Sequence, residues 1–409
     1  MKNRELLEKN LSENNGIFRL APNWVPRAFC VPGGRLKLAP KDLYALGKER
    51  GGIDERWFAS TTQADNEKAP EDEGLSYIYI EGKKAVKKIL FKEAIELMGD
   101  RILGKEVMSE YGGWKMFSKF FDNQNQLPHH VHLQDEHAQQ VNSAGKPEGY
   151  YFPPQLNFTG GDFPYTFFGL NPGTTKADVK KCLADFDKGD NGILNLSRAY
   201  KLKPGTGWLV PAGLLHAPGS LLTYEPQAAS DVFSMFQSVV QGQTIPRELL
   251  VKDVPAGKKD DLDYLVDILD WEANVNPNLV EDHLMRGIPV KSKSEKGKKE
   301  YDERWIVYGA EEFCAKELTV FPGQKAVIED KAAYGAILVE GHGEMNGLQV
   351  ETPNMIRFGD LTRDEVFVTH SAAENGVKIK NKSKSENLVL LKHFGPGHPT
   401  APKEVNPGQ

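Results

Sequence analysis

The sequence predicts a mainly β protein, two antiparallel β-units joined by helices. From about 126 to 240, short β-branched or aromatic runs (YYFPPQL, YTFFGLNPG, YKLKPGTGWLVPAG, SLLTYEPQ) alternate with Gly, Pro and Asn turns, the pattern of a barrel or sandwich. The same texture returns over 304–396 in RWIVYGAEEF, ELTVFPGQKAVI, YGAILVEGHGEM, MIRFGDL, EVFVTHS, GVKIKN and ENLVLLKHF, a second barrel or sandwich. The third observation is length: 409 residues exceed one ordinary core. The expected division is 1–244, 245–303 and 304–409.

Within the first unit, KKAVKKILFKEAIELMGDRILGK repeats apolar residues at three- and four-residue spacing and predicts an amphipathic helix. NPGTTKADVKKCLADFDKGD reads as a turn and a helical insertion between strands, with Thr175 as N-cap and Asp178 three residues on. Residues 245–285 return to helical periodicity, as in LDYLVDILDWEANV. KSKSEKGKKEYDE, 291–303, lacks apolar anchors and reads as a solvated linker, and the Pro- and Gly-rich tail GPGHPTAPKEVNPGQ as loosely held.

A net charge of −6 with interspersed Lys and Glu argues against nucleic acid as a partner. Cys30, Cys182 and Cys314 are odd in number and far apart, which argues for a reducing compartment, the cytoplasm. The N-terminal MKNRELLEKNLSENN has no apolar h-region, and no stretch approaches the ~18 apolar residues of a membrane span, so a soluble, unexported protein is expected.

The chemistry concentrates in LPHHVHLQDEHAQQVNSAGKPEGYYF, residues 127–152. If HHVHL is a strand, alternation puts His130 and His132 on one face and His129 on the other. Glu148 follows a turn marked by Gly145 and Pro147, and GWLVPAGLLHAPGSLL supplies His216 after a Pro-Ala-Gly turn. Three imidazoles and a carboxylate suit a divalent ion such as Zn, Mn, Fe, Co or Ni. The competing reading, a polar loop with His216 a hydrogen-bonded core histidine, leaves the coincidence of spacing unexplained. His137, in DEHAQQ, reads as a surface residue. In the second β-unit His342 and His370 stand alone, and that unit is assigned a structural or interface role.

At these residues the chain resembles the type I mannose-6-phosphate isomerases, two-cupin enzymes. That family carries Leu-Ser-Ile-Gln-Val-His-Pro-Asp-Asp-Glu, then Gly-Lys-Thr-Glu, and later Pro-Ala-Gly-Thr-Xaa-His. Here stand LPHHVHLQDE from Leu127 to Glu136, GKPE from Gly145 to Glu148, and PAGLLH from Pro211 to His216. Weaker likenesses are ERW, ending at Trp57, SKFF around Lys119, and YEPQAASD, ending at Asp231. The resemblance implies two cupin-type jelly-roll β-barrel domains with helical insertions, the second metal-free. It implies one metal ion, zinc ahead of the others, on His130, His132, Glu148 and His216. His130 replaces the family's glutamine, and Met235 stands where the family carries an arginine four residues after the aspartate.

The function implied is an aldose–ketose isomerase interconverting mannose 6-phosphate and fructose 6-phosphate or a related sugar, with a small sugar or sugar phosphate as its partner. Isomerisation needs an electrophile at the oxygens of C1 and C2 and a base between the carbons. Lys146 and Lys119 are the base candidates, if burial and the metal lower their pKa values, with Glu55 and Asp231 as carboxylate alternatives. Two rival readings are an Fe(II) dioxygenase and a sugar-binding cupin without catalysis.

Overall fold

The computed structural model describes residues 2–82, 85–157, 163–290 and 299–406. Two seven-stranded antiparallel sheets stack back to back, and each is covered on its far face by a smaller sheet. Every sheet keeps two edges, so the described residues form open sandwiches and not closed barrels.

The first large sheet runs Leu284–Met285, Gly207–Val210, Glu148–Tyr151, Thr223–Ala228, Met116–Phe121, Gly52–Phe58, Asn23–Arg27. Its register decides what each face carries, because directly opposed residues share a face and neighbours along a strand do not. Glu225 lies opposite Lys119, Lys119 opposite Trp57, and Gln227 opposite Glu148, so Glu55, Lys119, Glu225 and Glu148 share one face. The other face carries Arg56, Phe120, Tyr224 and Tyr151, opposed in the same way.

The polar face meets a five-stranded sheet, Ser197–Lys201, Tyr165–Leu170, His216–Ala217, His130–Val131, Ser234–Met235. Helices Lys176–Ala184 and Leu262–Asp267 cover the far side of that smaller sheet, their Val179, Leu183 and Leu265 packed with Val131, Leu133 and Leu215. Odd positions thus anchor apolar side chains in the helical layer, and His130, His132 and His216 turn inward. The cap expected at Thr175 is present, with a reciprocal bond from Asp178.

The second large sheet runs Ile17–Arg19, Glu365–Val368, Tyr334–Glu340, Leu388–Phe394, Cys314–Val320, Tyr301–Val307, Ile288–Pro289, and packs against a four-stranded sheet. Its edge strand Ile17–Arg19 comes from the N-terminus, so the two sandwiches interlock. Between the large sheets, Arg56 binds Asp364, the Tyr151 hydroxyl donates to Glu317, and the Tyr224 hydroxyl meets His393 Nδ1 at 2.9 Å. Gly149 leaves room for the facing sheet: a Cβ there would fall 2.3 Å from a Val307 methyl.

Several expectations need correction. The stretch expected as one helix over 83–105 is a strand, Val86–Leu90, followed by a helix from Phe91 to Ile102; the strand pairs with Tyr77–Glu81. Residues 291–298 of the expected linker lie outside the described residues, and Tyr301–Glu303 open a strand, with Glu303 buried. MIRFGDL forms only a bridge from Ile356 to Leu38, whereas Leu348–Glu351 is a strand. The tail is held as far as Asn406, whose side chain donates to the Leu284 carbonyl at 2.6 Å and accepts from Tyr308. All three cysteines are free thiols. Among the described residues no helix is long and apolar enough to cross a membrane.

Candidate metal centre

His130 and His216 project from paired strands, directly opposite each other, and His132 stands just past the end of the strand His130–Val131. Each has its Nδ1 on a backbone carbonyl: His130 on Pro128 at 2.7 Å, His132 on Val232 at 2.8 Å, His216 on Leu214 at 2.8 Å. A carbonyl only accepts, so each Nδ1 carries the proton and each Nε2 keeps its lone pair. The three rings offer ligand atoms within 4.8 Å of one another, all buried.

Glu148 arrives from the facing sheet. Its Oε2 lies 2.9 Å from His132 Nε2 and its Oε1 3.0 Å from His216 Nε2. With Nδ1 protonated these are contacts of acceptor on acceptor, repulsive unless a cation lies among them. His216 Nε2 is buried without a hydrogen-bond partner. Lys146 brings its ammonium to 3.0 Å from His132 Nε2 and 3.1 Å from Glu148 Oε2, and the Tyr150 hydroxyl donates to Glu148 Oε1.

The protonation states suit a metal. Burial, reinforced by the neighbouring imidazoles, holds His130 well below its usual pKa, and burial draws His132 down to about 4 against the pull of Glu148. Burial opposes the charge on Glu148, but its charged neighbours, Lys146 at 3.1 Å among them, outweigh it and hold its pKa well below the usual carboxylate range. Neutral imidazoles with an ionised carboxylate are the ligand states a divalent ion requires, and the carbonyls behind Nδ1 orient the rings.

Behind this centre the polar face continues as an alternating chain of charge. Lys119 Nζ lies 3.1 Å from Glu225 Oε1 and 3.5 Å from Glu55 Oε1. Glu55 takes a bond from Arg27 Nε at 3.2 Å and from the Trp57 indole at 2.7 Å. Arg27 grips Asp231 through both terminal nitrogens, at 3.1 and 3.2 Å. The four residues expected to work on the substrate, Lys146, Lys119, Glu55 and Asp231, therefore belong to one buried network that touches the candidate ligands. The pKa of Lys119 is a correction: burial opposes its charge, but Glu225 and Glu55 outweigh burial and push it up, not down.

No family model matches the chain, and no curated protein matches it in sequence. Solved structures do. The mannose 6-phosphate isomerase of Bacillus subtilis superposes with a TM-score of 0.60 at 18% identity, over 93% of this chain and 99% of that one. A mutant phosphomannose isomerase from Salmonella typhimurium gives 0.59 at 14% identity, over 93% and 100%. The chain has the fold of the mannose-6-phosphate isomerases. A third such structure, a mannose 6-phosphate isomerase bound with zinc and yttrium, gives 0.58 at 14% identity, over 93% of this chain and all of that one.

Within this mannose-6-phosphate isomerase fold, Met235 pairs in register with His130 and is buried among Val131, Leu215 and Phe236. A guanidinium reaches the network from another strand, as Arg27. Neither Arg27 nor Glu225 was singled out from the sequence. Glu225 carried a signal, alternation with Tyr224 in a strand, whereas Arg27 in NWVPR carried none, since its partner Asp231 lies 204 residues away. His137 is buried against Tyr264, with ring centroids 5.8 Å apart, and not a surface residue, because the short helix Asp135–Ala138 turns it inward.

Proposed function

We propose that the chain is a metal-dependent aldose–ketose isomerase of the mannose-6-phosphate isomerase type, acting on mannose 6-phosphate and fructose 6-phosphate or a related sugar. One observation carries this reading: imidazole Nε2 atoms, their tautomers fixed by carbonyls, converge with one ionised carboxylate inside this fold. We read the two sandwiches as the two cupin units of that type, the second without a metal. His130, His132, Glu148 and His216 would hold one divalent ion, zinc first among those the donors suit. Bound there, it would supply the Lewis acid that polarises the carbonyl and adjacent hydroxyl oxygens of an open-chain sugar.

The chain's own residues then carry one proton between adjacent carbons and steady the charge developing on oxygen. Lys119, kept as an ammonium by Glu225 and Glu55, suits the second task as a hydrogen-bond donor, and Lys146 beside the ligands suits it too. Glu225 lies 3.1 Å from Lys119 and 4.0 Å from Lys146. Burial and then Glu148 push its pKa well above the usual carboxylate range. We assign it the proton that leaves C2 of the aldose and returns to C1, while the proton on the C2 hydroxyl passes to the C1 oxygen. Glu55 and Asp231, both bound to Arg27, hold this row in register.

The test is NMR of the purified chain, reloaded separately with Zn, Mn, Co, Ni and Fe(II), with mannose 6-phosphate and free aldoses in D2O. Conversion of aldose to ketose with deuterium entering carbon supports the reading. No conversion with any metal sinks it, and oxygen uptake instead would favour the dioxygenase.

A further inference from the structure

The C-terminal sandwich carries a charged feature of its own on the outer face of its four-stranded sheet. That sheet orders its strands Lys325–Ile328, Val377–Asn381, His342–Met345 and Leu348–Glu351. Alternation buries Ala326, Ile328, Val377 and Ile379 and turns Lys325, Val327, Lys378 and Lys380 outward. Lys325 lies directly opposite Lys380, and Val327, 55% exposed, opposite Lys378. Together with Asn15, Arg101 and the helix His370–Glu374, they line a groove of about 990 Å³. Its polar wall is tied in place: Asn15 and Asn346 donate to each other's carbonyls at 3.0 and 3.2 Å, and a Cβ on Gly16 would fall 2.6 Å from that of Ala372.

Two lysines directly opposite each other set their Cβ atoms roughly 5 Å apart, an unfavourable arrangement unless an anion joins the ammonium groups. The interior of the same sandwich holds that arrangement with its anion in place: Lys316 lies opposite Lys392, and Asp330 accepts from both, at 2.6 and 2.7 Å. Lys325 and Lys380 have no such carboxylate. Among the described residues, neither these two nor Lys378 and Arg101 forms an ion pair or a side-chain hydrogen bond. Two carboxylates share the groove. Glu344, opposite Lys380, is taken by Lys382 at 2.6 Å and by the Gln349 amide at 2.6 Å, which leaves the exposed Glu300. Four unpaired cations therefore meet one unpaired carboxylate, a local positive excess in a chain whose net charge is −6.

A positive groove on an acidic chain suits a compact anion better than a long polyanion, which the rest of the surface repels. Lysines bind phosphate as point charges, whereas a carboxylate is matched more closely by the planar fork of arginine. One phosphate group brings at most about two charges, too few to balance the groove. We infer that this groove is a binding site for a small ligand with two or more linked phosphate groups, held by Lys325, Lys378, Lys380 and Arg101. Small-molecule sites occupy roughly 300–1,000 Å³, a range that includes this groove, and the exposed Val327 offers an organic portion an apolar contact. The ligand takes the place between Lys325 and Lys380 that Asp330 takes between Lys316 and Lys392. The groove shares no residue with the metal centre, so the inference stands apart from the isomerase reading.

The experiment titrates the full-length, zinc-loaded chain with phosphate, pyrophosphate, tripolyphosphate and adenosine diphosphate, reading affinity by calorimetry and stability by thermal unfolding. Tripolyphosphate or adenosine diphosphate should bind at least about tenfold more tightly than phosphate, and added salt should weaken that binding. The double variant Lys325→Gln, Lys380→Gln should lose at least about tenfold of the affinity. Lys325→Gln alone, without an anion, should raise Tm by removing the opposed pair, and the tighter-binding probe at saturation should reverse that order. Adenosine diphosphate bound more tightly than pyrophosphate would mark an organic ligand, and equal binding of the two a phosphate chain alone; either supports the site. Equal affinity in wild type and double variant would put the anion elsewhere, the metal centre included, and overturn the inference. Failure of every probe to bind, or equally weak binding of all four, would overturn it too. So would a lower Tm of Lys325→Gln without an anion, because Lys325 would then be held within the chain.

Discussion

The two sandwiches bury charge in the same way, yet among the described residues only one gathers side chains that could hold a metal. Each large sheet turns a row of lysines and carboxylates toward its own smaller sheet. In the C-terminal sandwich Lys316 lies directly opposite Lys392, a like-charge pair that is unfavourable by itself. Asp330 resolves it, accepting from Lys316 at 2.6 Å and Lys392 at 2.7 Å, while Lys392 also reaches Glu303 at 2.5 Å. Burial opposes the charge on Asp330, but Lys392 and Lys316 outweigh it and draw its pKa down to about 2. This cluster satisfies itself. In the N-terminal sandwich the facing strands add three imidazoles, and an acceptor is left over at His216 Nε2, 3.0 Å from Glu148 Oε1. A surplus of buried acceptors calls for a cation, and a balanced cluster does not.

Two substitutions would break or sharpen that contrast. His216→Ala removes a candidate ligand and should lower metal affinity by more than about 100-fold, beyond the cost of losing an outer-shell partner. Metal content after dialysis, read by mass spectrometry, and loss of any metal-induced rise in Tm would record it; a fully loaded variant would show that the imidazoles are not the ligands. Lys392→Met should leave metal content untouched and destabilise the chain by about 3–5 kcal/mol, because Glu303 loses its ammonium and Asp330 keeps only Lys316. Chemical denaturation would measure the loss. A drop in metal content on this substitution would mean that the C-terminal cluster supports the site and not merely its own sandwich.

What could be read in advance followed the range of the forces involved. His130, Val131, His132 and Leu133 needed only the two-residue period of a strand to place two imidazoles inward and two apolar groups against the helices. The capping box of Thr175 and Asp178 is closed within one turn. Val86–Leu90 was misread because apolar residues three apart fit a helix as well as a strand, and pairing with Tyr77–Glu81 decides between them. The strand Ile17–Arg19 joins a sheet whose other strands begin at residue 288, a partnership no local pattern announces. The direction of the Lys119 shift was hidden likewise, since it depends on Glu55 and Glu225 from two other strands.

The smallest expected effect lies between the sandwiches, where neither cluster reaches. Arg56, from the N-terminal large sheet, forms a two-pronged bond with Asp364 at 2.8 and 2.8 Å and leaves Glu365 a longer contact of 3.4 Å. Burial, only partly offset by Arg56 and reinforced by Asp364, pushes Glu365 up to about 8 from an ordinary value of 4.5. The folded chain therefore holds this proton where the unfolded chain releases it, so stability is full below 4.5 and is lost as pH rises toward 8. Glu365→Gln should flatten that decline, by an amount on the order of a few kcal/mol at most. The readout is the difference between wild-type and variant denaturation midpoints across that window. Parallel profiles would mean that Glu365 is ionised in the fold, and that Arg56 balances two carboxylates at the joint, which would make the joint a third charged cluster and not a neutral seam between two.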